Sequence, residues 1–561
     1  MMDLNRLYVL VIVVVALLGY ARVVGHDHVL DDQALIPNQS VLQTPLDMQQ
    51  VILGRYWGDL RSQDTLYRPL TIWTLALNHW VNTLVGLPGE HATVYRITSV
   101  VLHACVSGVL FVFVRWLGLG PVVGLWAGLL FAVLPIHTEV VAVAVNRSEI
   151  LALGFGLGFL MWYQTRWVLA GVCLFLALLS KESALLFLPV AMWYSLTVWK
   201  RSERLFLWHW VGYVFIVGVW GVLRSVAIGD ALQAVVMLDN PLAMASMWDR
   251  VLTALAVQGR YLFLQVVPVG LSADYSYNQI PLVHTVWVID VLFPLGIFAI
   301  SGWWAWRVRH TNYFVPFLLG GYVLLFGATS NVLFPIGTLM GERLVYAPSL
   351  CLCVLGGWGL SRVSRVWMWW LGGVLVVVYA GVTVERLSVW QNAEVFYPAL
   401  VETSPNSAKA HYAVAQEVYQ PSGALDLAKD HYLRAVEILP NYPDAWNNLG
   451  VIKKDEGDLA GAIVAYETAL GWHDGHVAAR VNLGQAFQSL GENNKAVEAY
   501  GRALDVDSIH AVAGNNLAVL FAQMGHTDSA QVLFERVLRH HPTYLPAQKN
   551  YQLFLDMQGN P

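Results

Sequence analysis

Two patterns of apolar and polar positions divide the chain near residue 386. Before it, long apolar runs follow one another with few charges between them; after it, apolar residues recur every third or fourth position, as on one face of a helix. The first pattern predicts membrane-spanning helices. Residues 6–24 form the first, and further spans start near residues 94, 120, 149, 167, 183, 207, 285, 312, 342 and 366, giving about eleven crossings. Residues 6–24 are long enough to span and no small-x-small site follows, so they are read as a retained anchor and not a cleaved leader. The second pattern repeats at a longer interval: Asn448, Asn482, Asn516 and Asn550 stand 34 residues apart. Leu449, Leu483 and Leu517 keep the same step, as do Ala462, Ala496 and Ala530, and Tyr466, Tyr500 and Phe534.

A step of 34 residues is that of the tetratricopeptide repeat (TPR), and "AWNNLGVIKKDEGDLAGAIVAYETAL" resembles that family's pattern closely. Each unit is a pair of antiparallel helices, with Ala and Gly allowing close approach and Leu and Tyr filling the seam. About four units are expected from Ala408 onward, the first with one extra residue in "QPSG" that Pro and Gly would absorb in the turn. Stacked units present a concave face suited to an extended peptide or another protein.

Composition sharpens the division. The 561 residues are 57% hydrophobic and 13% charged, although the last third is ordinary soluble sequence, so the first two thirds are more apolar still. A net charge of −5 and the lack of a basic block give no support to a nucleic-acid partner. Cys105, Cys173, Cys351 and Cys353 all lie inside apolar runs and read as buried residues. Arg166, the runs at 200–204 and 307–310, and Arg362 with Arg365 mark cytoplasmic loops by the positive-inside rule. With the amino terminus also inside, residues 25–93, the other long polar loops and the repeats fall on the outer side. That parity requires residues 250–270 to lie in the interface or re-enter. The expected domains are 1–386 and 387–561.

Ionisable residues gather in the outer loops and at the ends of apolar segments. Asp27, Asp31 and Asp32 follow the first span; acids at a membrane surface are costly and often mark a site, although a long loop also needs solvated charge. Further along stand Arg68, then His137, Glu139, Arg147 and Glu149, then Lys181 with Glu182, then Glu342, Arg343 and Tyr346. Charges so placed need partners, and mutual pairing around a shared polar ligand supplies them. Plain ion pairs between neighbours, Lys181 with Glu182 and Glu342 with Arg343, fit the pattern too. His137 beside Glu139 provides two potential metal ligands without a third.

The blocks "LDD", "YRPLT", "HTE" with "NRSE", "KES" and "NVLFPIGTLMGERLVYAPS", followed by the repeats, resemble the transmembrane and TPR-containing O-mannosyltransferases of the GT-C glycosyltransferase superfamily. The resemblance runs from about residue 20 to the end. It implies an all-α chain, a polytopic GT-C-like transmembrane bundle followed by a TPR solenoid. It also implies an inverting transferase, with or without a divalent cation, that moves a sugar, typically mannose, from a polyprenyl-phosphate carrier to a protein hydroxyl on the outer side. Such a hydroxyl needs a carboxylate to take its proton, for which Asp31 or Asp32 is the candidate. A departing lipid phosphate needs cations, for which Arg343 and Arg147 are placed, with Arg68 and Lys181 beside them. Glu139 would orient hydroxyls, and His137, Glu182, Glu342 and Tyr346 complete the expected substrate contacts. The repeats would gather the acceptor. The chief rival is a non-catalytic membrane scaffold displaying the repeats, which would tolerate Asp31→Asn and Asp32→Asn. A transporter would carry charges in mid-helix and internal symmetry, and neither is clear in the sequence.

Overall fold

The computed structural model of the chain describes residues 4–60, 65–198, 205–229 and 235–559; the basic run at 200–204 lies outside them. Every regular element among these residues is a helix. By length and apolarity six helices are able to cross a membrane: Leu4–Gly25, Ala92–Trp116, Trp208–Ile228, Ile289–Val308, Glu342–Leu360 and Arg365–Trp390. A seventh span arises if Pro121–Ala132 and Pro135–Ala142, bent by 52°, count as one, and Trp167–Ser180 and Phe314–Gly327 are apolar but shorter. The expected count of about eleven is therefore not reached on these criteria, because several apolar runs fold as short helices interrupted by turns. The helix over Met247–Val266 is not among the six; it carries Asp249, Arg250, Gln258, Arg260 and Gln265.

Two compact units make up the chain, Met1–Ser404 and Pro405–Pro561, so the division falls beyond residue 386. The Arg365–Leu387 helix leads through a tight turn into a further helix, Ala393–Thr403, that belongs to the first unit. Buried Trp390 packs against Phe396, the rings tilted with centroids 4.8 Å apart, and the Ser404 hydroxyl donates to the Asp274 carbonyl at 2.6 Å. The linker thus has a core of its own.

In the first unit the Ala92–Trp116 helix packs against Leu4–Tyr20, Pro121–Ala132 and Arg147–Trp162. Lipid tails give apolar helices no reason to leave them, so association depends on close backbone approach and on polar contacts. Both occur. A Cβ on Gly357 would stand 2.7 Å from the Val123 carbonyl oxygen and 2.8 Å from the Ala127 nitrogen, so only glycine permits this crossing. Gly156 similarly lies under the Phe187 ring.

The second unit is the predicted solenoid. Gly450 and Gly484 sit beneath Tyr466 and Tyr500, whose ring atoms would lie 2.4 and 2.6 Å from an added Cβ. Consecutive repeats are joined by side-chain amides: Asn482 donates to Asn447 at 2.9 Å, Asn550 to Asn515 at 3.0 Å. Gly423, Gly457, Gly491, Gly525 and Gly559 all take positive φ, 77, 85, 77, 81 and 73°, at the same 34-residue step. The turn after the first helix therefore keeps its register. The extra residue of the first repeat is absorbed earlier, in a π-helical turn over Ala415–Tyr419, and not by the turn in "QPSG".

Candidate active site

The first unit collects its charged residues at helix ends, and their pairing differs from their order in sequence. Lys181 pairs with Glu149 and not with adjacent Glu182, both groups being nearly buried. Glu182 instead takes Arg68, whose Nε and Nη2 each lie 3.1 Å from Oε2, while the Tyr67 amide donates to Oε1 at 3.1 Å. Arg343 pairs with Glu139 across 204 residues of chain: its main-chain amide donates to Oε2 at 3.0 Å and its Nη1 to Oε1 at 2.5 Å. Glu342 turns the other way, accepting from the Ser272 amide at 2.6 Å and the Tyr275 hydroxyl at 2.9 Å. Neighbours in a tight helical turn project to different sides, so each carboxylate and cation finds a partner from another segment.

Asp32 is fully enclosed. Its side chain is 0% exposed, Oδ2 receives Arg96 Nη1 at 2.7 Å and the Ala144 amide at 2.7 Å, and Oδ1 receives the Val145 amide at 2.9 Å. Burial alone would raise its pKa; the Arg96 guanidinium, His28 and the Ala144 amide outweigh burial and hold it at about 2. Arg96 also donates to the carbonyls of Ala142 and, at 2.5 Å, Asp27, so this one pair ties the first loop to the turn over Ala144–Asn146. The same anchorage holds Leu30 at a φ of 54°, a conformation costing a leucine on the order of 1–3 kcal/mol, immediately before the acidic pair.

Asp31 opens the same short helix but is only half buried. It lies within electrostatic reach of Arg343 and Tyr56. Lys181 in turn senses both Arg68 and Arg343. Asp31, Arg68, Lys181, Glu139, Glu149, Glu182 and Arg343 therefore belong to one cluster. Within it Glu139 is 0% exposed and Arg343 is 31% exposed, a cation anchored from behind with part of its guanidinium open. Two further contacts pin this stretch: the Tyr261 hydroxyl exchanges hydrogen bonds with the Gly341 carbonyl at 3.1 Å and amide at 2.8 Å, and Asn331 Nδ2 donates to the carbonyls of Thr338 and Leu339, both at 3.0 Å.

Five expected site residues are corrected by their surroundings. Asp32 cannot serve as a base while both oxygens are filled by buried donors. Arg147 is fully buried and gives its donors to the Ala144 carbonyl at 3.1 Å, Asn78 Oδ1 at 2.5 Å and the Tyr95 carbonyl at 2.8 Å, which leaves it to brace helices rather than hold a phosphate. His137 contacts the Phe131 carbonyl at 3.1 Å and the Ser349 hydroxyl at 2.9 Å, and Tyr346 contacts His103 Nδ1 at 2.9 Å; all are fully buried. Glu342 is likewise enclosed, and its partners Ser272 and Tyr275 were not singled out in the sequence, nor was Arg96. Arg96 did carry a signal, an arginine in the second turn of a long, mostly apolar helix whose other arginine, Arg115, stands in the last turn. Among the described residues no three His, Cys, Asp or Glu side chains gather as a cation cage.

An all-helical membrane unit with a cluster of anchored cations and partly exposed carboxylates, followed in the same chain by a helical repeat unit, defines a membrane protein with a polar site and a protein-binding fold. Family models described as Tetratricopeptide repeat match residues 431–464 and 454–507. Over a longer span the chain is 25% identical, across 456 residues, to Protein O-mannosyl-transferase F38B6.6 of Caenorhabditis elegans, covering 77% of this chain and 63% of that protein. It is 28% identical over 477 residues to Protein O-mannosyl-transferase TMTC4 of Mus musculus, covering 73% and 63%, and 26% identical over 525 residues to Protein O-mannosyl-transferase TMTC1 of Homo sapiens, covering 79% and 56%. The chain spans less than two thirds of the length of these curated relatives. Among solved structures, that of MamA shares 21% identity over 26% of this chain and 85% of its own, with a TM-score of 0.25. The chain is thus a TPR-containing homologue of proteins named protein O-mannosyl-transferase.

Proposed function

We propose that this chain is a membrane glycosyltransferase that moves a sugar, mannose in the first instance, from a polyprenyl-phosphate carrier to a Ser or Thr hydroxyl of a protein on the extracytoplasmic side. The observation that carries the reading is half-buried Asp31 within electrostatic reach of Arg343, which is itself anchored twice on buried Glu139. The names of the relatives support the same class of reaction.

In the reaction so read, the acceptor hydroxyl oxygen attacks the anomeric carbon from the face opposite the phosphate. Asp31 takes the hydroxyl proton as the new carbon–oxygen bond forms, since an alcohol is too weak an acid to ionise unaided. The bond from carbon to phosphate oxygen breaks, its electron pair leaves with the lipid phosphate, and the configuration inverts. Negative charge grows on that phosphate, and Arg343 with Arg68 neutralises it; each is held in place by a carboxylate behind it, so little reorganisation accompanies the step. Asp32 and Arg96 act as positioning residues that fix the loop bearing Asp31. In the repeat unit, a groove of about 660 Å³ lined by Lys454, Gln485, Gln488, Asn515, Asn516 and Asn550 offers amide and charged groups to the backbone of an extended acceptor. The basic loops at 307–310 and at Arg362 and Arg365 support placing the opposite, acidic side outside the cytoplasm.

The test is incubation of the purified chain with labelled polyprenyl-phosphate sugars and hydroxyl-bearing acceptor peptides. Wild type is expected to transfer mannose, and Asp31→Asn to lose transfer while keeping its melting temperature. Absence of transfer from any carrier-linked sugar to any acceptor, by folded protein, would instead favour the scaffold.

A further inference from the structure

A lipid-sized groove lies away from this cluster. Between the helices Phe187–Thr197, Ile289–Val308 and Phe314–Gly327 runs a groove of about 740 Å³ with largely apolar walls. It is built by specific residues and is not a packing gap. Trp193 reaches across to donate from Nε1 to the Pro316 carbonyl at 3.0 Å. Its indole lies over Gly320, where an added Cβ would stand 2.2 Å from Nε1, and opposite, Gly302 leaves open space with nothing within 4 Å of its Cβ position.

One face of the Ile289–Val308 helix and its exit lines the groove from Ile297 through Ser301 and Ala305 to Arg309. At the helical rise this stretch is about 18 Å long, close to the depth of one leaflet of a hydrocarbon core roughly 30 Å thick. The basic residues, Arg309 and His310, stand at one end. There Arg309 stacks 4.6 Å over the Trp306 ring and donates to the Trp306 carbonyl, and exposed His310 follows it. No acidic side chain lines the groove among the described residues.

This basic mouth is at the opposite end of the helix from the candidate active site. The first turn, at Asp290, borders Gly259, two residues before the Tyr261 that pins Gly341 beside Arg343. A helix of this length separates the two ends by roughly 30 Å. A sugar carrier whose phosphate sits at Arg343 would therefore not place that phosphate at Arg309.

We infer that the groove holds an anionic glycerophospholipid of the leaflet at the Arg309 end, one acyl chain along the apolar wall and the phosphate on Arg309 and His310. Charge selects the headgroup and the one-leaflet length selects the chain. This inference is independent of the sugar-transfer reading.

The experiment uses the purified full chain, delipidated in detergent and titrated with either phosphatidylglycerol or phosphatidylcholine of the same acyl chains. Retained lipid is read by native mass spectrometry and folding by thermal melting. Wild type is expected to retain phosphatidylglycerol roughly fivefold over phosphatidylcholine, the preference one basic side chain gives at a lipid surface. Arg309→Ala/His310→Ala should equalise the two lipids, and Gly302→Trp, which fills the groove, should lower retention of both. If the double variant does not fold, Arg309→Gln, which keeps the stem, takes its place. Equal retention by wild type, a preference that survives loss of the basic pair, or retention indifferent to Gly302→Trp would overturn the inference.

Discussion

Replacing Asp32 by Asn separates its structural role from a catalytic one. The substitution keeps the shape of the side chain but removes the negative charge that faces Arg96, and it turns one oxygen that now receives amides into a donor facing them. Both partners are 0% exposed, so Arg96 would be left as a buried guanidinium with only carbonyl partners. Breaking a buried pair from one side costs about 3–5 kcal/mol, to which the lost amide contacts add. Removing both charges is milder, so Asp32→Asn/Arg96→Met should recover part of the loss. Asp31→Asn alters a half-buried position and not the fully buried Asp32–Arg96 pair, and should melt closer to wild type than Asp32→Asn. The assay is thermal unfolding of detergent-purified protein, run on the three variants beside a transfer assay. The reasoning is refuted if Asp32→Asn melts with wild type yet abolishes transfer, which would make Asp32 the base.

Other expectations follow from the same geometry. His26 is buried and its pKa is lowered from 6.5 to about 4, by burial first and by Arg96 next, while Asp32 is lowered from 3.8 to about 2. In both cases the unfolded chain binds the proton more readily. Stability is therefore full above pH 6.5, falls first as His26 protonates in the unfolded state, and falls again between about 4 and 2; a pH series of melting temperatures should show both steps. Glu139→Gln should lower kcat and also lower the melting temperature, because a fully buried carboxylate that accepts twice from Arg343 is lost, and Arg343→Ala should cost kcat about 10²–10³, the usual penalty for losing one charge-stabilising donor. Arg343→Lys should restore little, because it lacks the planar fork. Gly484→Leu forces a side chain into the Tyr500 ring and should destabilise the repeat unit by about 1–3 kcal/mol, read by circular dichroism melting.

The repeats were legible because each position recurs: Gly450 and Gly484 announce the same cavity under Tyr466 and Tyr500. The extra residue of the first repeat was seen, but its location was not, since a π turn leaves no mark in composition and Gly423 keeps the expected register. For the site, residue types were readable and partnerships were not. Lys181 and Glu182 are adjacent, yet one faces Glu149 and the other Arg68, because a 3₁₀ turn begins between them. Enclosure was equally hidden: His137, Glu139 and Tyr346 are fully buried, whereas Arg343, from the same blocks, keeps part of its guanidinium open. Only the packing of distant helices distinguishes a charge left at a surface from one sealed beneath it.

The bond network of Glu139 makes Thr138–Ala142 and Glu342–Val345 a single inherited part, although Glu139 and Arg343 stand 204 positions apart in the chain. A chimera that borrows one stretch from a divergent relative would receive a lock without its key. Exchanged together, the two stretches carry their own fastening with them.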